Sequence, residues 1–256
     1  MVRQWIGALR LRVSLLATLI AVASYRLCGA EIRMLPILAI CIICMVTMVH
    51  NDYRDRHHDV RKGKNLAFSR PKQFLFLLLL LWTCTLGVIG IVAWANLWTG
   101  VLLSGMAAVA LAYSETRSIP FMPAIIVSLT SASPALLPLT EGAANYLSIV
   151  FFVAIALANY GREIFGDIED MEIDRGYKHT IPSATSFRHP EKLAGVLMTI
   201  GAGLVPVVHP MGVAVAWLLW PMGSAIFLVT CNPASRKRWL WLDFTSALFL
   251  GAVIAH

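Results

Sequence analysis

Hydrophobic and polar positions follow one another along this chain in long blocks, not in the short periods of a soluble fold. Apolar blocks occupy Val13–Ala30, Met34–Val49, Phe74–Ala95, Trp98–Ser114, Phe121–Leu139, Tyr146–Tyr160, Leu193–Val208, Met211–Cys231 and Trp239–Ala255. A helix crossing a hydrocarbon core ~30 Å thick needs about 20 mostly apolar residues, so the pattern predicts an all-α, polytopic membrane protein with nine transmembrane helices. Gly87, Gly90, Pro123, Pro134, Pro138 and Pro206 interrupt several blocks. Membrane bundles tolerate such breaks when neighbouring helices satisfy the freed backbone. Trp94, Trp98, Trp239 and Trp241 stand at block ends, where interfacial indoles belong. The longest polar intervals, Asn51–Lys72 and Gly161–Lys192, are too short for a soluble domain, and residues 1–256 read as one transmembrane domain.

Composition agrees with the pattern: 58% of residues are hydrophobic and 14% charged, which excludes a water-soluble core. Charge then orients the helices, because Lys and Arg are retained on the cytoplasmic side of short loops. With the N-terminus inside, nineteen of the 21 basic residues fall in cytoplasmic segments and only Arg26 and Arg33 fall outside. The net charge of +7 is thereby a topology signal, and nucleic acid is not an expected partner. The basic N-terminus ahead of an apolar run reads as the first span, since no clean small-x-small cleavage site follows and Arg26 interrupts the run. Cys28, Cys41, Cys44, Cys84 and Cys231 sit in or beside apolar blocks. The Cys41-x-x-Cys44 pair reads as helix packing, not as a redox or zinc motif.

Candidate chemistry is concentrated in two places. The spacing D-x-x-D-x-x-x-D occurs as Asp52, Asp55, Asp59 and again as Asp167, Asp170, Asp174, and nine of the fourteen acidic residues lie in these two windows. Intervals of three and seven place the carboxylates of each set on one face of a helix. Each set follows an even-numbered span, the second and the sixth, as two four-helix pseudo-repeats would arrange them. Ionised carboxylates beside a membrane need cations or water. Hard oxygen donors suit Mg²⁺, which is usually held through one or two carboxylates plus substrate phosphate oxygens. With basic residues such as Arg61, Lys62, Lys64, Arg70, Arg162, Arg175 and Lys178 nearby, the arrangement describes a diphosphate clamp whose substrate tail lies among the helices. His57 and His58 read as solvent-facing. Glu163 and Asn159 extend the Asp167 face by four and eight residues, either lining a cavity or packing between helices.

At these residues the sequence resembles the UbiA-type intramembrane prenyltransferase superfamily. Its first signature, N-D-x-x-D-x-x-x-D, stands complete from Asn51 to Asp59. The second window, Arg162 to Asp174 followed by His179-Thr180-Ile181-Pro182, is most similar to the geranylgeranylglyceryl phosphate prenyltransferase branch. Tyr113-Ser114, with Arg117 nearby, resembles a further element. The resemblance implies nine helices around a central cavity and two Mg²⁺ ions, held by Asn51, Asp52, Asp55 and Asp59 and by Asp167, Asp170 and Asp174. It also implies diphosphate contacts from Asn51, Arg61, Lys62, Lys64, Arg70, Arg117, Arg162 and Lys178, with Asp52, Asp55, Asp167, Asp170 and Tyr113 serving catalysis. The substrate implied is a farnesyl- or geranylgeranyl-class isoprenyl diphosphate, and the prenyl group goes to a lipophilic acceptor drawn from the membrane. Met122-Pro123 stands where the family usually has Gly-Asn, the Arg-Pro and Asn elements of the first span are missing near Val13, and the loop from Arg61 to Lys72 keeps Arg70-Pro71 alone of its usual run. The first two departures touch the acceptor half and keep a terpene cyclase of the same superfamily, which needs no acceptor, as the alternative. A transporter would carry its acids deep in the bilayer and not beside basic loops.

Overall fold

The computed structural model describes residues 2–62, 66–116, 119, 121–143, 146–172, 174, 177, 180–184, 189–208, 250 and 254. Among them the secondary structure is helical: α1 (Val2–Ala8), α2 (Leu11–Leu27), α3 (Met34–Arg54), α4 (Arg56–Asp59), α5 (Leu66–Ser69), α6 (Pro71–Ala95), α7 (Leu97–Ala112), α8 (Met122–Ala132), α9 (Leu137–Thr140), α10 (Tyr146–Asp170), α11 (Ile181–Ala184) and α12 (Pro190–Val208). Every predicted apolar block up to Leu193–Val208 coincides with helix. The last two, and with them the nine-span count and the pseudo-repeat, extend into residues outside those described. Met34–Arg54, Pro71–Ala95, Met122–Thr140 and Tyr146–Asp170 are each long and apolar enough to cross a membrane, and Leu97–Ala112 is a shorter apolar helix. Sequence and helices together make this an integral membrane protein.

Two helices outrun their apolar blocks. α3 continues past Val49 to Arg54, and α10 continues past Tyr160 to Asp170. At 1.5 Å per residue the 25 residues of α10 span about 37 Å, so a helix crossing a ~30 Å core has turns to spare at its end. Asn51 and Asp52, and likewise Asp167 and Asp170, thus stand on helix ends and not in loops.

The described residues form two compact units, one of Met1–Thr18 with Arg33–Glu115 and one of Leu19–Ile32 with Thr116–His256. In the first, α6 begins on Pro71, whose missing N–H costs nothing at a helix start. Asn96 ends it and starts the next helix: its N–H bonds the Val92 carbonyl at 2.7 Å while its Oδ1 accepts from Trp98 N (3.0 Å) and Thr99 N (3.2 Å). One residue thereby closes the α6–α7 hairpin. Gly100 lets α7 lie against Ala93, where a Cβ would collide. Phe76, Leu86, Ile91, Trp94 and Trp98 are exposed, as large apolar side chains on membrane helices are where they meet lipid. Inside, Val46, Val49, Ala67, Phe74 and Leu78 form a core.

In the second unit the end of α2 turns on Gly29, whose φ of 63° admits the Ala30 N–H to Tyr25 carbonyl bond of 2.9 Å. α8 starts after Phe121 at φ 67° with Pro123 in its first turn, and a 3₁₀ turn, Ser133–Leu136, separates it from α9 where Pro134 and Pro138 break the helical ladder. α10 and α12 touch backbone to backbone. A Cβ on Gly161 would lie 2.5 Å from the Ala194 carbonyl oxygen, and one on Gly201 would lie 2.5 Å from that of Ala154. Small residues are what allow such an approach between membrane helices.

Candidate active site

The first acid set closes α3. Asn51 and Asp52 lie in its last turn, and the helix stops at Arg54. Asp55 donates its N–H to the Asn51 carbonyl at 2.9 Å, and its own carbonyl accepts from His58 N and Asp59 N, each at 2.8 Å, to open α4. At φ −85°, ψ 0° Asp55 occupies the bridge region common among functional residues. The set therefore runs over two helical segments hinged at Asp55, not over one continuous helix face as the spacing predicts. Asp55 and Asp59 are 5% and 4% exposed, a burial that carboxylates sustain only among donors or cations.

The intervening residues hold this hinge. Arg56 lays its guanidinium 4.6 Å over the Tyr53 ring and donates to the Tyr53 carbonyl at 2.9 Å. Tyr53 stacks on Phe74, which also stacks on Trp5 of α1. His57 meets Phe68 edge-on at 5.4 Å, so one of the two motif histidines is an exposed packing residue. Arg54 pairs with Glu115, fastening the 3₁₀ turn Tyr113–Glu115 to the end of α3; Tyr113 is half-buried in that turn. Asp52 receives Arg10, Nη2 to Oδ1 at 3.3 Å.

In the second set Asp167 and Asp170 lie one turn apart at the end of α10, as predicted. Asp174 lies beyond the helix, 3% exposed, with its N–H on the Asp170 carbonyl at 2.8 Å and its carbonyl accepting from Tyr177 N at 2.9 Å. Ile164, Phe165, Ile181, Ala194 and Met198 pack together beneath and fix the helix end. Arg162 is half-buried with Glu163 at 3.4 Å. Asn159 donates to Ser131 Oγ at 2.9 Å, which assigns it to packing between α10 and α8. Arg61 is exposed, and Arg70 is half-buried at the start of α6. Lys64, Arg117 and Lys178 lie outside the described residues, as does the Lys62 side chain.

The proposed metal ligands are all oxygen donors, a chemistry that fits Mg²⁺ shared with substrate phosphates and water. They do not form a ready-made cage: among the described residues no three acid, histidine or cysteine side chains assemble as one would require. Asp52 is turned to Arg10, Asp55 sits in the hinge and Asp174 is folded into a turn. Arg10, Glu115, Tyr53 and Trp5 are neighbours of the first set that the motif reading does not find. Arg10 enters there only as a topology charge, and no sequence signal joins it to a residue 42 positions away.

Two solved structures share the fold. One, from work on digeranylgeranylglyceryl phosphate synthase in membranes, is 18% identical, with a TM-score of 0.68 over 99% of this chain and 97% of that one. The other, an apo UbiA homolog from Aeropyrum pernix K1, is 14% identical, with a TM-score of 0.72 over 96% and 98%. No curated protein matches in sequence. The model of the UbiA prenyltransferase family matches residues 13–248, nearly the whole chain and both acid sets, and this protein belongs to that family.

Proposed function

We propose that the chain is a Mg²⁺-dependent intramembrane prenyltransferase that ionises an allylic isoprenyl diphosphate, of farnesyl or geranylgeranyl class, and transfers the prenyl group to a lipophilic acceptor. The observation that carries this reading is the pair of acid sets on the ends of α3 and α10 in a UbiA-family chain. A lipid acceptor is favoured by the similarity of the second window to the glyceryl-ether branch and by the fold shared with the synthase structure.

In the reaction the allylic C–O bond breaks and its electron pair leaves with the diphosphate. The acceptor then supplies a lone pair to the carbocation and loses its proton. Mg²⁺, when bound, supplies positive charge to the leaving group. Asn51, Asp52, Asp55 and Asp59, with Asp167, Asp170 and Asp174, are its proposed ligands. Arg61, Lys62, Lys64, Arg70, Arg117, Arg162 and Lys178 are the proposed donors to diphosphate oxygens, and Tyr113 offers a π-face to the cation. The apolar helices exclude water that would quench the cation. The chain works in this reading as a single domain, with its N-terminus and both acid sets on the cytoplasmic side.

The test is incubation of purified protein with Mg²⁺, farnesyl or geranylgeranyl diphosphate and a membrane lipid extract, followed by mass spectrometry. A lipid heavier by one prenyl unit is the expected product. Release of no diphosphate from either substrate would overturn the reading.

A further inference from the structure

Arg10 is bound to the first aspartate set in a way its role as a topology charge does not require. It is the joint between α1 and α2, and its backbone is left-handed, at φ 49°, a conformation that non-glycine residues rarely adopt. The joint is built on both sides. Arg10 N–H bonds the Gly7 carbonyl at 3.2 Å, and its own carbonyl accepts from Val13 N at 2.9 Å and Ser14 N at 3.2 Å. α1 is seated by Ala8, 8% exposed, and by Trp5, whose ring stacks on Phe74 with centroids 6.1 Å apart. Phe74 is 1% exposed and stacks in turn on Tyr53, inside the first motif. The product of this arrangement is one guanidinium 3.3 Å from Asp52 Oδ1, with side chains 36% and 14% exposed.

We infer that Arg10 is a diphosphate-binding residue of the first acid set. The inference rests on the proposed prenyl diphosphate reaction. A carboxylate that takes a share of a hard cation has less charge to offer a guanidinium. Arg10 cannot lose its own charge, and its planar fork of N–H donors matches phosphate oxygens. The anion brought to Asp52 with the cation is therefore the partner Arg10 turns to, and the strained joint keeps the guanidinium there before substrate arrives.

Glycine at position 10 separates side chain from fold, because it adopts φ 49° without strain. Full-length Arg10→Gly in detergent should melt no lower than wild type. Its affinity for inorganic diphosphate in Mg²⁺, measured by calorimetry, should fall on the order of tenfold or more. Arg10→Lys should recover part of that loss, and KM for the prenyl diphosphate should rise in parallel. Diphosphate affinity in Arg10→Gly within about twofold of wild type, well under the 1.4 kcal/mol of a tenfold change, would overturn the assignment while leaving the prenyl diphosphate reading intact. Wild-type protein that binds no diphosphate would overturn both.

Discussion

Asn159 Nδ2 donates to Ser131 Oγ at 2.9 Å, joining α10 to α8 two helical turns before Asp167. The same helix face thus carries a packing contact in its middle and the acid set at its end. Interhelical hydrogen bonds in membranes average about 0.6 kcal/mol by double-mutant cycles. Asn159→Ala and Ser131→Ala should each lower the thermal midpoint slightly, and the double variant should lose less than their sum. Strict additivity would show that the contact contributes nothing.

The crossing of α10 and α12 is more demanding. Gly161→Ala places a methyl 2.5 Å from the Ala194 carbonyl oxygen, and backbone cannot give way as a side chain does. Gly90→Ala in α6 meets nothing within 4 Å and removes the conformational freedom that costs glycine about 0.5–1 kcal/mol in a helix. Melting in detergent should show Gly161→Ala clearly destabilised and Gly90→Ala unchanged or raised. The reverse order would contradict the close approach of the two helices.

Much of this is written in the sequence, and the exceptions have physical causes. Asp52, Asp55 and Asp59 announce themselves because acid is scarce in so apolar a chain. Hydropathy reports depth in a membrane and not where a helical ladder ends, so α10 runs ten residues beyond the predicted Tyr160 through Arg162, Glu163 and Asp167, which keep the backbone bonds while leaving the lipid. The hinge at Asp55 is a matter of two dihedral angles that no residue pattern encodes. Arg10 with Asp52 and Arg54 with Glu115 are contacts between segments 42 and 61 residues apart, set by packing and invisible to spacing.

If both acid sets act on the diphosphate, neither can replace the other. Asp52→Ala, Asp55→Ala, Asp167→Ala and Asp170→Ala should each lower turnover by orders of magnitude while the protein remains folded, and chelation with EDTA should abolish activity until Mg²⁺ is restored. One of these variants turning over at near the wild-type rate would remove its set from the chemistry.

The charge sorting predicts that the loop after the first set faces the cytoplasm and the C-terminal end the opposite side. In a background without the native cysteines, Gly63→Cys should label from the cytoplasmic side and His256→Cys from the other. Labelling of both from one side would contradict an odd number of spans.

Transfer and cyclisation differ in what the cation meets. A transferase holds a nucleophile within reach of the allylic carbon, whereas a cyclase needs only a dry, shaped wall that folds the chain until a proton is lost from the cation itself. Met122-Pro123 stands at the start of α8 where the resemblance leads one to expect a polar pair, and there Phe121 is left-handed and Pro123 is buried in the first turn, so this chain offers a bend and apolar surface at that place. A lipid acceptor entering sideways from the bilayer does not need that polar pair, which is why transfer remains the favoured reading. Incubating pure protein with Mg²⁺ and geranylgeranyl or farnesyl diphosphate, without acceptor, decides it. Little diphosphate should be released until membrane lipid is added. A cyclic hydrocarbon formed at a comparable rate without lipid would replace transfer with cyclisation, and the apolar start of α8 would then be part of the wall that shapes the product.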